Sequence, residues 1–163
     1  QDPPTMKKLP VEADVPKYLA KRGLMPGACQ LTQAVGDLSV IAFFYLLRVG
    51  EYMAKAARNQ SKKMVQFKME DVTFFVKNSV GQLHQCPRDA PAGVLLRADG
   101  STLKLDNQKN GWKGVCIHQE SNGGGLTDPV RALARRYIHA RNQVACKKAF
   151  AKTFLSSYFV DGV

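Results

Sequence analysis

The sequence predicts an α+β fold in which core helices pack with a small antiparallel three-stranded sheet. Apolar residues recur at three- and four-residue intervals from Leu31 onward, which is typical of an amphipathic helix. Short runs rich in β-branched and aromatic residues begin at Met64, and an Asn-Gly pair at residues 110–111 separates two alternating runs. With 163 residues, 45% of them hydrophobic, the chain can bury the core of one domain.

The first residues differ in character from the rest of the chain. Four prolines, at positions 3, 4, 10 and 16, favour extended structure or turns, with a short helix possible over residues 17–23. We therefore expect residues 1–29 to form an extended segment or linker with a short helix, and residues 30–163 to form the domain. The first helix of that domain is predicted to run from Leu31 to about Lys55.

The predicted strands come from five short runs. MVQFKM begins at residue 64, DVTFFV at 71 and VLL at 94, while TLKLD at 102 and GVCIH at 114 enclose the Asn-Gly pair. Asn-Gly between alternating runs is a strong signal for a β-hairpin, and it places Lys109 at the hairpin tip.

A basic helix is predicted after the hairpin. Asp128 is a suitable N-cap and Pro129 a suitable first residue, and a less regular helix is expected from about Val144. One apolar stripe is predicted on the first of these helices, with charged residues on its other faces. The stripe comprises Val130, Leu133, Ala134, Tyr137 and Ile138, and the charged faces carry Arg131, Arg135, Arg136 and His139.

The charge favours a polyanionic partner. Lys and Arg number 24 against 13 acidic residues, which gives a formal charge of +11, so double-stranded DNA is the expected partner. A membrane partner is not expected, because the longest apolar run, residues 40–47, is too short to cross a bilayer. A small-molecule substrate is not expected either. Without an export signal, the four scattered cysteines are expected to be reduced and the chain intracellular, in the nucleus if the host is eukaryotic and otherwise in the cytoplasm or nucleoid.

The segment FFYLLRVGEYM, residues 43–53, contains the candidate catalytic groups. Arg48 follows an apolar run and Glu51 lies three positions later, so both project toward one end of a helix. A buried arginine is costly unless it is paired or faces an anion. Together with Lys109 these groups suit a phosphodiester: Arg48 binds two oxygens, Lys109 protonates the leaving oxygen and Glu51 orients the guanidinium. The alternative is a helix-terminal ion pair and a solvated turn lysine.

The segment LLRVGE, the β-rich stretch after it and the hairpin LDNQKNGWKGVCI resemble the first half of the catalytic domain of tyrosine recombinases, the phage-integrase family. PVRALARRYIHAR is similar to the helix after the third strand in integrase-like genes of eukaryotic mobile elements. The resemblance implies that residues 30–163 are a truncated catalytic domain of this family, with Arg48, Glu51 and Lys109 as catalytic residues. It also implies DNA cleavage through a phosphotyrosine, without metal or nucleotide cofactor, and further recombinase protomers as partners.

The second half of the family's constellation is not recognisable in this chain. No histidine is followed at +3 by arginine, and Tyr158 lies too early to be the nucleophile. Because such groups act as a unit, we expect this chain to bind DNA without cleaving it, the intact parent being the strand transferase. The residues predicted to contact DNA phosphates are Lys62, Lys63, Lys113, Arg131, Arg135 and Arg136.

Three other interpretations remain open from the sequence. The first is a non-catalytic basic DNA-binding protein derived from a degenerate recombinase. The second is a zinc site, because His84 and Cys86, and likewise Cys116 and His118, lie two residues apart on predicted strands. The third is an RNA-binding module, which fits the charge although no aromatic RNA-recognition signature is present.

Overall fold

The computed structural model describes residues 12–47, 66–105 and 114–159. Within these ranges the chain forms five α-helices, one short 3-10 helix and a four-stranded sheet. In chain order the elements are α1 (Asp14–Gly23), α2 (Gln30–Phe44), the 3-10 helix (Met69–Asp71), β1 (Val72–Lys77), β2 (Leu83–Gln85), α3 (Ala92–Leu95), β3 (Gly100–Leu105), β4 (Val115–Glu120), α4 (Pro129–Gln143) and α5 (Lys147–Lys152).

The sheet is entirely antiparallel in the order β2-β1-β3-β4. The two inner strands bury one face, with Val72 and Phe74 of β1 and Leu103 of β3 each no more than 4% exposed. This alternation of buried and more exposed positions matches the period of two expected for a sheet covered on one side. Both edge strands are largely exposed.

The predicted α+β class and antiparallel sheet are confirmed, whereas the predicted number of three strands is wrong. The extra strand, β2, is three residues long and lacks the apolar alternation that signals a strand. Two predicted strands are also wrong. The described part of MVQFKM forms a single bridge between Lys68 and Phe154 before the 3-10 helix, and VLL lies mainly in α3, where Pro91 stands at the N-cap.

Helix α1 begins at Asp14, three residues before the predicted start, and packs tightly on α2. A Cβ on Gly36 would lie 2.8 Å from the carbonyl oxygen of Leu19, so the two backbones approach more closely than a larger residue permits. The prediction that one helix runs to Lys55 is wrong, because α2 ends at Phe44. Leu46 has a φ of 54°, a left-handed conformation that cannot continue a right-handed helix.

The predicted start of the basic helix is confirmed. Asp128 caps α4, since one of its carboxylate oxygens accepts the N–H groups of Val130 at 2.9 Å and Arg131 at 3.1 Å. Tyr137 of the same helix packs edge-on between two rings, Phe74 and Phe150, and thereby joins the sheet, α4 and α5 in one core. Among the helices of the described ranges, none is long and apolar enough to cross a membrane.

Candidate functional site

Six of the nine predicted site residues lie outside the described residues. They are Arg48, Glu51, Lys62, Lys63, Lys109 and Lys113. The structure describes the elements that precede and follow them, together with the three arginines of α4.

The end of α2 is held against the sheet three residues before Arg48. Tyr45 is fully buried, and its hydroxyl lies 2.5 Å from the Ser101 hydroxyl of β3. The Gln119 amide of β4 donates to the carbonyl oxygen of Phe44 at 2.8 Å. Burial raises the pKa of Tyr45 well above its usual value, so the phenol stays protonated at physiological pH.

The strands that flank the predicted hairpin tip pair as expected. β3 and β4 are antiparallel from Gly100↔Glu120 to Leu105↔Val115. The segment that contains Lys109 therefore connects two adjacent, paired strands. Both of these strands also contact the end of α2, through Ser101 and Gln119.

The Arg131 side chain lies over the loop that precedes α4. Its guanidinium donates to the carbonyl oxygen of Gly124 at 3.3 Å and lies 3.8 Å from the Asp128 carboxylate. The side chain is 38% exposed, so part of its surface remains accessible to solvent.

The Arg135 side chain pairs with a carboxylate of another helix. Its Nε and Nη2 both donate to one oxygen of Asp37 in α2, at 2.8 Å and 2.5 Å. Asp37 is 5% exposed, and its burial raises the pKa of the carboxyl although the guanidinium of Arg135 opposes this shift. Arg135 therefore connects two helices rather than lying on a free surface.

The expectation that Arg136 lies on an exposed face of α4 is wrong, because the residue is only 2% exposed. Its Nη2 donates to the carbonyl oxygen of Ser157, in the segment that follows α5. This segment crosses α4, since the backbone N–H of Phe159 also donates to His139. The helix thus has a second buried face, formed by Arg136 and two alanines four residues to either side, Ala132 and Ala140. Those alanines were the signal that could have indicated this face.

A cavity of about 360 Å³ adjoins this arginine cluster. The cluster comprises Asp37, Arg135 and Arg136, all of which line the cavity. The first turn of α2, the end of α1 with the turn after it, the residue that follows α3 and part of α4 supply the remaining walls. The other lining residues are Gly23, Leu24, Met25, Gln30, Gln33, Leu96, Ile138 and His139. The sequence did not point to Asp37 as a partner of α4, because the two residues of the pair are 98 positions apart.

The structure does not bring together the residues of the hypothetical zinc site. His84 is on β2 and Cys86 directly follows that strand, while Cys116 and His118 are on β4. These are opposite edges of the sheet, so three strand spacings of about 4.8 Å separate the two pairs. Across the described ranges, no group of three or more potential ligands is close enough to hold a metal ion.

Comparison with known protein families, with curated proteins and with solved structures found no match to this chain.

Proposed function

We propose that this chain is the DNA-binding portion of a site-specific tyrosine recombinase or integrase. The observation that carries the proposal is the attachment of the end of α2 to β3 and β4. Phe44 and Tyr45 are hydrogen-bonded to this strand pair four and three residues before Arg48, and Lys109 lies in the segment between the same two strands. The sequence order helix, antiparallel hairpin and basic helix is also the order on which the resemblance rests.

Chain connectivity permits an encounter of the two cations. Arg48 is three residues from Tyr45, and Lys109 is four residues from Leu105, so extended chain allows reaches of about 10 Å and about 14 Å from these anchors. The anchors themselves lie on or against one strand, β3. In the proposed role, Arg48 binds two oxygens of the scissile phosphate, Glu51 orients it and Lys109 protonates the leaving oxygen.

The charge of the chain supports DNA rather than an uncharged partner. An excess of 11 positive charges attracts the phosphate backbone and releases its counterions on binding. We assign Lys62, Lys63, Lys113 and the partly exposed Arg131 to phosphate contacts. Arg135 and Arg136 contribute to the proposal only through the position of α4, because Asp37 and the 157–159 segment engage them.

DNA binding can be tested by fluorescence anisotropy with a duplex of about 30 base pairs, titrated between about 50 and 200 mM salt. We expect log K to fall linearly with log salt. Replacing Lys62 and Lys63 together by Gln should reduce the magnitude of the slope by about 1.8, since each phosphate contact contributes about 0.9. The matched control, Lys17→Gln with Lys21→Gln on the exposed surface of α1, should leave the slope unchanged. Absence of binding at the lowest salt would overturn the proposal.

Catalysis is tested separately with a nicked suicide substrate, on which a cleaving recombinase accumulates a covalent protein–DNA adduct. We expect no adduct from this chain, because the second arginine and the nucleophile of the family are not recognisable in it. In the intact parent, Arg48→Lys should abolish strand exchange and leave DNA binding intact, because lysine lacks the bidentate fork. Unchanged recombination by that variant would remove the phosphate role of Arg48.

A further inference from the structure

The Nε atom of Arg136 is a buried donor without a hydrogen-bond partner in the part of the chain that the structure describes. The residue is 2% exposed, and of its guanidinium atoms Nη2 is bonded to Ser157. A buried charged donor left without an acceptor costs more than an ordinary hydrogen bond contributes. Such a group in a folded protein calls for compensation, and the described residues offer its Nε no acceptor.

The charges around this donor do not balance. Asp37 is the carboxylate of the cluster, and Arg135 uses it through two hydrogen bonds. The pKa of Arg136 is lowered by burial, while the Asp37 charge opposes that shift from a distance without a direct bond. Among the described residues of the cluster, two guanidinium groups therefore share one carboxylate, and an added anion would neutralise the remaining charge.

The cavity next to Arg136 has walls of two kinds. The side chains of Leu24, Met25, Leu96 and Ile138 form apolar walls, and Gln30 and Gln33 contribute amides from the first turn of α2. The amino-terminal end of this 15-residue helix carries partial positive charge, which favours an anion. A volume of about 360 Å³ is within the range of small-ligand pockets.

We propose that this cavity binds a small organic oxyanion, with its phosphate or carboxylate group at Arg136 and its apolar part against the aliphatic walls. The Arg136 guanidinium, which lines the cavity, supplies the charge-assisted hydrogen bond. Gln30 adds an amide to the walls, whereas the Gln33 amide already donates to the Ala28 carbonyl oxygen at 2.8 Å. Asp37 keeps Arg135 in position and disfavours a second anion close to that residue. The site is distinct from the predicted DNA-cleaving residues, because it is formed by the start of α2 rather than the end.

Phenyl phosphate is a suitable probe, and phenol and inorganic phosphate are its two halves. Isothermal titration should show that phenyl phosphate binds more tightly than either half, because each half engages only one kind of wall. Arg136→Gln should weaken phenyl phosphate binding by about tenfold or more, the loss expected for one hydrogen bond to a charged group. The matched control is Arg88→Gln, which removes the same charge and a guanidinium bond to the Glu70 carbonyl, outside this cavity.

A second variant keeps the test valid if Arg136→Gln fails to fold. Met25 lines the cavity but is 53% exposed, so Met25→Trp should obstruct the cavity without disturbing the core. We expect a folded protein, verified by circular dichroism, that no longer binds phenyl phosphate. The proposal would be overturned if Met25→Trp bound phenyl phosphate with the affinity of the unmodified chain, or if the unmodified chain showed no saturable binding.

The source of the oxyanion is distinguished by competition. If the physiological ligand is a small molecule, duplex DNA at saturating concentration will leave phenyl phosphate binding unchanged. If a DNA backbone phosphate occupies the cavity, the duplex will displace phenyl phosphate from the unmodified chain and from Arg88→Gln alike. Both results support an oxyanion site at Arg136, and they assign its ligand to different molecules.

Discussion

The two halves of α2 are held in the fold by different kinds of interaction. Residues 30–37 contact α1 through the backbone at Gly36 and pair with α4 through the charge of Asp37. Residues 38–44 and the C-cap residue Tyr45 are held by neutral contacts, with Val40 and Ile41 in the core and the Tyr45 hydroxyl hydrogen-bonded to Ser101.

The two halves therefore suit the two proposed functions of this helix, anion binding at its start and support of Arg48 at its end. Desolvated charges make the first half suited to selecting an anion, but they are costly when a partner is lost. Neutral hydrogen bonds and apolar packing make the second half a stable support that tolerates the loss of one contact. A rigid support is what the phosphate-binding role proposed for Arg48 requires from the preceding residues.

The largest effect is expected from Asp37→Asn, which removes the charge that pairs with Arg135. We expect a loss of about 3 kcal/mol in the free energy of unfolding, because a partly buried guanidinium then lacks its counter-charge. Urea denaturation followed by circular dichroism measures this loss.

The double variant Asp37→Leu with Arg135→Leu is the control for that prediction. Since burial raises the pKa of Asp37 against the attraction of Arg135, desolvation offsets much of the pair's energy. The double variant should therefore be much closer to wild type than Asp37→Asn. If the two variants are equally unstable, charge pairing is not what holds the first half of α2.

A smaller effect is expected from Gly36→Ala, which tests the backbone contact between α1 and α2. The new methyl group would meet the Leu19 carbonyl at 2.8 Å, so α1 must shift. We expect a net loss of about 2 kcal/mol in thermal or urea unfolding, the overpacking cost being larger than the gain in helix propensity. Gly93→Ala in α3 is the matched control, because its nearest atom would be 3.9 Å away. Equal stability of both variants would contradict the close packing of these helices.

The smallest effect is expected from Tyr45→Phe, which removes one neutral hydrogen bond in the second half of α2. We expect a loss of about 1 kcal/mol in the free energy of unfolding, because the fully buried Ser101 hydroxyl loses this partner. Tyr158→Phe, at a residue that is 44% exposed, should change stability by less than about 0.5 kcal/mol. A loss for Tyr45→Phe as large as that for Asp37→Asn would remove the distinction between the two halves.

Local signals in the sequence were sufficient for several elements of the fold. The Asn-Gly pair predicted the pairing of β3 with β4, and the Asp-Pro pair predicted the start of α4 at Pro129. Both depend on backbone conformations that neighbouring residues favour directly. The short exposed strand β2 carried no such signal, and the apolar VLL run was compatible with either a strand or a helix.

In the candidate sites, too, some features follow from the sequence alone and others depend on tertiary contacts. The order and spacing of Arg48, Glu51 and Lys109 are properties of the sequence, and they predict phosphate chemistry without reference to the tertiary structure. Arg135 and Arg136 are neighbours in the sequence of α4, yet Arg135 pairs with Asp37 and Arg136 is buried beneath the segment after α5. Helical periodicity assigns each arginine to a face, but it does not tell which distant segment covers that face. The pairing of Arg135 and the burial of Arg136 depend on contacts across 98 and 21 positions, and these exist only after the chain has packed.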